Sequence, residues 1–190
     1  MIFLHAARGT YDGTHSENRL TWDGYIEWSQ LTHVREIVSL DYMLNEDLVQ
    51  PDYDDAYDWE QIHVFGLMQT GLYTTREYVL RRMTQTDVFN VLTVVIEPNQ
   101  ECRNIEIEDY DFMGYDLVDQ DFGNSALTNC GGFAETFQPD DLNDKGLFDS
   151  YNTAFDVKQR LLINNPNEFH ADTNVIAIWR HRTIGRGSLL

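Results

Sequence analysis

Lysine is nearly absent from this chain. Of 190 residues only Lys145 and Lys158 are lysines, and together with the arginines they make 13 bases against 32 acids, a formal charge of −19. Such a surface repels polyanions. Direct nucleic-acid binding needs clustered Lys and Arg to neutralise phosphates, and anionic membranes attract polybasic segments, so neither partner is expected. Cysteine is scarce as well. Cys102 and Cys130 stand outside any CxxC or CxxC…HxxxH spacing, which removes the usual zinc and redox patterns and leaves two free thiols in a reducing compartment. No apolar stretch, the one around Leu92 to Ile96 included, approaches the ~20 residues a membrane helix requires. The opening MIFLHAARGTYDG lacks the basic start, long apolar run and small-residue cleavage site of a signal peptide. A soluble cytoplasmic protein is the expectation.

Recognised catalytic patterns are missing too. There is no GxxxxGK[ST], GxGxxG or GxSxG. The six histidines (His5, His15, His33, His63, His170 and His181) form neither HExxH nor a paired HxxxH. Asp121-Phe122-Gly123 spells DFG without the Gly-rich loop, strand lysine or HRD segment that kinase chemistry requires. Neither a cofactor nor a metal is expected. Only four prolines interrupt the chain, and no repeat, low-complexity tract or linker is visible. One domain over 1–190 is therefore expected, long enough to bury roughly 70% of its unfolded surface. The composition supports this, with 42% hydrophobic and 13% aromatic residues, far above what disordered chains carry.

The patterning predicts an α+β fold: a mainly antiparallel sheet with two or three helices packed on one face. Turn formers over 10–24 predict a loop. Apolar spacing predicts a short helix over 26–34, then a strand over 37–42. Thr74 with Glu77 three residues on has the spacing of a capping box opening a helix. The Val- and Ile-rich run over 88–96, ended by Pro98, predicts a buried strand. A helix over 149–163 is predicted from a cap at Asp149 or Ser150 and inward Ala154, Val157, Leu161 and Leu162. Strand character resumes at 174–182, and 184–190 reads as a tail. Between these, RNIEIEDYDFM alternates acid with apolar residue, the period of a half-wet strand. Its outer face would be a negative strip through Glu106, Glu108, Asp111, Asp116, Asp119 and Asp121.

Two segments suggest function. Residues 46–60 hold seven acids and no base, with Tyr53, Tyr57 and Trp59 among them. Acids alone imply a solvated loop, but rigid rings between carboxylates are also what a surface for Arg- and Lys-rich partners contains. Ordinary solubility, a salt-loving host and a basic protein partner all fit the acidity. The partner account leads to an acidic inhibitor or immunity-type protein that neutralises a toxin or nuclease, contacting it through Asp52, Asp54, Asp55, Tyr57, Asp58 and Trp59, with Glu106, Glu108 and Asp111 as a second patch. A polyanion mimic occupying a DNA-binding protein is the alternative if carboxylates line an elongated face. The second segment, SALTNCGGF over 125–133, gathers a thiol, an amide and paired glycines. Cys130 as nucleophile, His170 as base and Asp172 or Asn129 as orienter would follow the Cys–His logic of a cysteine-dependent hydrolase or transferase, yet no local signature supports it, and a structural turn explains the same residues.

Overall fold

A computed structural model describes residues 1–15, 21–65, 68–84, 86–129, 136–164, 166–168 and 171–185. Its strands are β1 (Leu4–Gly9), β2 (Tyr11–Asp12), β3 (Glu36–Ile37), β4 (Ile62–Phe65), β5 (Met68–Tyr73), β6 (Phe89–Ile96), β7 (Tyr110–Asp119) and β8 (Thr173–His181). The helices are α1 (Trp22–Ser29), α2 (Ala56–Gln61), α3 (Arg76–Arg82) and α4 (Tyr151–Asn164). Six strands form one antiparallel sheet in the order β4-β5-β1-β6-β8-β7, and β2 pairs with β3 in a small separate ribbon. The class is α+β.

Register and pleat assign the two faces. His5 pairs with Tyr73 and Thr93, and Thr93 pairs with Trp179, so these residues and those two positions away share a face. On that face α3 packs Tyr78 and Val79 with Ala7 and Tyr73, while α4 packs Ala154 and Val157 with Leu117, Val175, Ala177 and Trp179. Both helices therefore lie on one side. The other face carries Leu4, Ala6, Leu92, Val94, Ile176 and Ile178, covered by the irregular segments that supply Val38, Leu40, Phe122 and Leu147. Because β6 and β8 are sandwiched, both parities of each strand are apolar, which is why their runs read as continuous.

Several expected boundaries shift, each for a local reason. The helix begins at Trp22 because the Thr21 side chain accepts from Gly24 N–H at 3.3 Å, and it stops when Gln30 turns left-handed at φ 61°. Leu31 and Val34 are buried in irregular chain. The expected strand over 37–42 survives only as β3; Val38, Ser39, Leu40 and Asp41 are all buried, so burial on both parities had mimicked a strand. The expected loop over 10–24 holds β2 and the start of α1, with 16–20 outside the described residues. Thr75 rather than Thr74 caps α3, accepting from Tyr78 N–H at 3.3 Å, while Thr74 Oγ1 bonds Gln61.

The alternating segment is corrected most. Residues 101–109 pair with no strand, and β7 starts only at Tyr110. The alternation is real but has another cause. The segment lies on the sheet face that carries Tyr115 and Trp179, pinned where Tyr115 Oη accepts from Cys102 N–H at 2.7 Å and Trp179 Nε1 donates to Ile105 O at 3.2 Å. Ile105 and Ile107 are half-buried there while Glu106 and Glu108 face solvent.

Candidate functional site

The acidic segment is built on α2. Asp55 caps the helix, its carboxylate accepting from Tyr57 N–H at 2.9 Å. One turn on, Asp58 points inward and is fully buried. Its Oδ2 accepts from Asp52 N–H at 2.6 Å, and its Oδ1 accepts from Arg82 Nη2 at 2.9 Å and Nε at 3.2 Å. Arg82 also reaches Asp55 at 3.3 Å. Burial works against the Asp58 charge, yet the bonds from the Asp52 amide, Arg82 and Tyr78 outweigh it and hold the carboxyl below the ordinary range. Asp58 is thus the anchor of the segment and not a contact for a partner, and Asp55 is half committed to the same frame.

What the anchor presents is aromatic and acidic. Tyr53, Tyr57 and Trp59 are 48%, 43% and 50% exposed, each held by a specific contact. Trp59 Nε1 donates to Tyr53 O at 2.8 Å and the two rings sit 5.7 Å apart. Tyr57 rests near Tyr78 at 6.2 Å, with the Arg81 guanidinium 5.7 Å from its ring centre. Asp52, Asp54 and Glu60 are exposed around them. The three arginines that resemble one basic cluster in sequence therefore diverge: Arg76 lies 3.6 Å from Glu77, Arg81 covers Tyr57 and Arg82 holds the acidic segment. Arg82 is the residue that sequence reasoning missed. A run of seven acids without a base needs counter-charge from elsewhere, and that imbalance was the available signal.

The second expected patch is present in part. Glu106, Glu108 and Asp111 are exposed, but Arg182 Nε donates to Asp111 at 2.8 Å and Arg180 pairs with Glu36 at 2.8 Å, so these two arginines are spent on the chain's own acids. The strip does not continue. Asp116 and Asp119 turn inward and are buried. Asp116 accepts from the hydroxyls of Ser39 and Ser125, the latter at 2.6 Å, and from Leu117 N–H at 2.8 Å. Asp41, buried beside it, accepts from the amides of Ser125, Met43 and Leu44 at 2.8, 2.8 and 3.0 Å. Burial raises both carboxyls, Asp116 to about 6. The elongated row of carboxylates that a polyanion mimic requires is not formed by these residues.

The chain matches no protein family, no curated protein and no solved structure. Geometry alone therefore weighs the sites.

Cys130 and His170 lie outside the described residues. Asp172 is exposed and accepts from Gln120 Nε2 at 3.1 Å. The described half of the Gly-rich segment is architectural: Ser125 serves Asp116, and Asn129 reaches Asn124 at 3.2 Å. Cys102 is fully buried, and burial pushes its thiol up, which leaves it unreactive. Among the described residues no cluster of His, Cys, Asp and Glu could hold a metal ion, and no helix is long and apolar enough to cross a membrane.

Proposed function

We propose that this protein binds a basic protein partner through residues 52–60 and blocks it, in the manner of an inhibitor or immunity protein acting on a toxin or nuclease. One observation carries the reading: three half-exposed aromatic rings stand among exposed carboxylates on a frame held from beneath by Asp58 and Arg82. Rings with few rotatable bonds supply contact area at low entropic cost, and a pre-set frame lowers the ordering cost of binding. The −19 charge supplies steering, which raises the association rate with a basic partner and rejects acidic ones.

The test separates contact from frame. A partner is captured from the source organism's lysate at low salt, identified and purified, and its association rate is followed against salt. Changing Asp52→Asn, Asp54→Asn and Glu60→Gln together slows association by about tenfold and flattens its salt dependence, while Trp59→Ala mainly speeds dissociation. Unchanged rates in both variants refute the segment as the contact.

A further inference from the structure

A second feature, apart from the exposed rings and acids of residues 52–60, lies at the β5 edge of β1. Among the described residues β5 pairs with β1 only at His5. Beyond that point the chain around Asp47 takes the edge: Leu48 N–H donates to Ala7 O at 3.1 Å and Gly9 N–H to Glu46 O at 2.8 Å. Where β5 and this segment part, a cleft of about 370 Å³ opens. Arg8 stands at its base, 2% exposed. Its Nε has no hydrogen-bond partner, and its ion pair with Asp47 is long, 3.5 Å between nearest atoms. A buried guanidinium held so loosely is costly unless something else completes it.

The surrounding backbone is shaped to leave this room. Gly71 adopts φ +64°, and a Cβ there would fall 2.5 Å from Asp47 Oδ2 and 2.8 Å from Arg8 Nη2, so only glycine lets the charged pair lie across the chain. Facing it, Phe122 holds a left-handed φ of 56°, a conformation that non-glycine residues keep only where the surroundings enforce it. The Tyr42 ring lies against Gly123 and walls the opening. Of the lining acids, Asp119 is saturated by Gly123 N–H at 2.8 Å and Asn124 Nδ2 at 2.9 Å. Asp121 is exposed at the rim. Asp47 also accepts from Val49 N–H at 3.1 Å, and burial raises its carboxyl although Arg8 beside it lowers it.

A simple anion would meet these acids, and a simple cation would leave Arg8 uncompleted. We propose that the cleft binds a small zwitterion, an amino acid or a molecule built like one, with its carboxylate on Arg8 and its ammonium group against Asp121 and Asp47. The full chain is titrated with each of the common amino acids, and with acetate and methylammonium as half-ligands, by calorimetry and by ¹⁵N NMR of arginine Nε–H signals. At least one amino acid binds saturably, moves one Nε–H signal, and binds about tenfold or more tighter than either half-ligand. Arg8→Met removes that binding. Asp121→Asn, at an exposed position that leaves folding intact, weakens the amino acid several-fold while acetate binds no more weakly than before. Absence of saturable binding by every amino acid up to about 10 mM, or equal affinity in wild type and Asp121→Asn, overturns the assignment.

Discussion

Replacing Asp116 with asparagine should change how stability depends on pH more than it changes stability itself. The carboxyl is wholly buried between Ser39, Ser125 and the Leu117 amide, with Asp41 beside it, and burial raises it from an ordinary 3.8 to about 6. Between those two values the folded chain holds a proton that the unfolded chain has released, so stability falls as pH rises. The contribution is fully present below about 3.8 and is lost as pH passes about 6. A gap of that size is worth about 3 kcal/mol in total, of which about 1.4 kcal/mol lies between pH 5 and pH 8. Asparagine keeps the shape, lets Ser39 and Ser125 reorient their hydroxyls, and does not titrate. Urea unfolding at several pH values should therefore show the Asp116→Asn protein gaining about 1.4 kcal/mol on wild type between pH 5 and pH 8. Parallel pH profiles for the two proteins would refute the assignment of this titration to Asp116.

Asp58→Asn should leave global unfolding two-state but loosen residues 52–60, read as faster amide exchange at Asp52, whose N–H loses its charged acceptor; unchanged exchange would show that the Asp58 carboxylate does not hold the segment. In wild type the same loosening should appear as pH falls below 3.8, because the lowered Asp58 carboxyl stabilises above its unfolded value and loses that contribution on protonation. Gly114→Ala should destabilise by about 1–3 kcal/mol, since Gly114 sits at φ +139° and a Cβ would come within 2.8 Å of Leu147 Cβ and Phe148 O; a neutral effect in thermal unfolding would contradict that crowding.

Segments whose neighbours are close in sequence were legible. β6, α4 and β8 lie within two residues of expectation because a sandwiched strand is apolar on both parities and a capped helix declares its start; in α4 the Ser150 hydroxyl accepts from Thr153 N–H at 3.3 Å. Where a residue's role depends on a distant partner, local pattern misled. Asp116 and Asp119 looked like the wet face of a strand, yet they turn inward because Ser39, Ser125 and Asn124 supply donors there. Glu106 and Glu108 alternate with Ile105 and Ile107 without a strand, because Trp179 and Tyr115 hold that segment to the sheet face.

The same division runs through the sites. Composition by itself determined the charge, the expectation against polyanion binding, and the density of rings and acids over 46–60, since these are sums over residues. Only the tertiary structure decided which of those acids face water. Asp58 became an anchor because α3 delivers Arg82 beneath it, and Arg8 became the base of a cleft because β5 leaves β1 after one paired residue. A charge's surroundings are set by whichever chain segments pack around it, and burial and hydrogen bonding act over a few ångströms of space between residues that stand far apart in sequence.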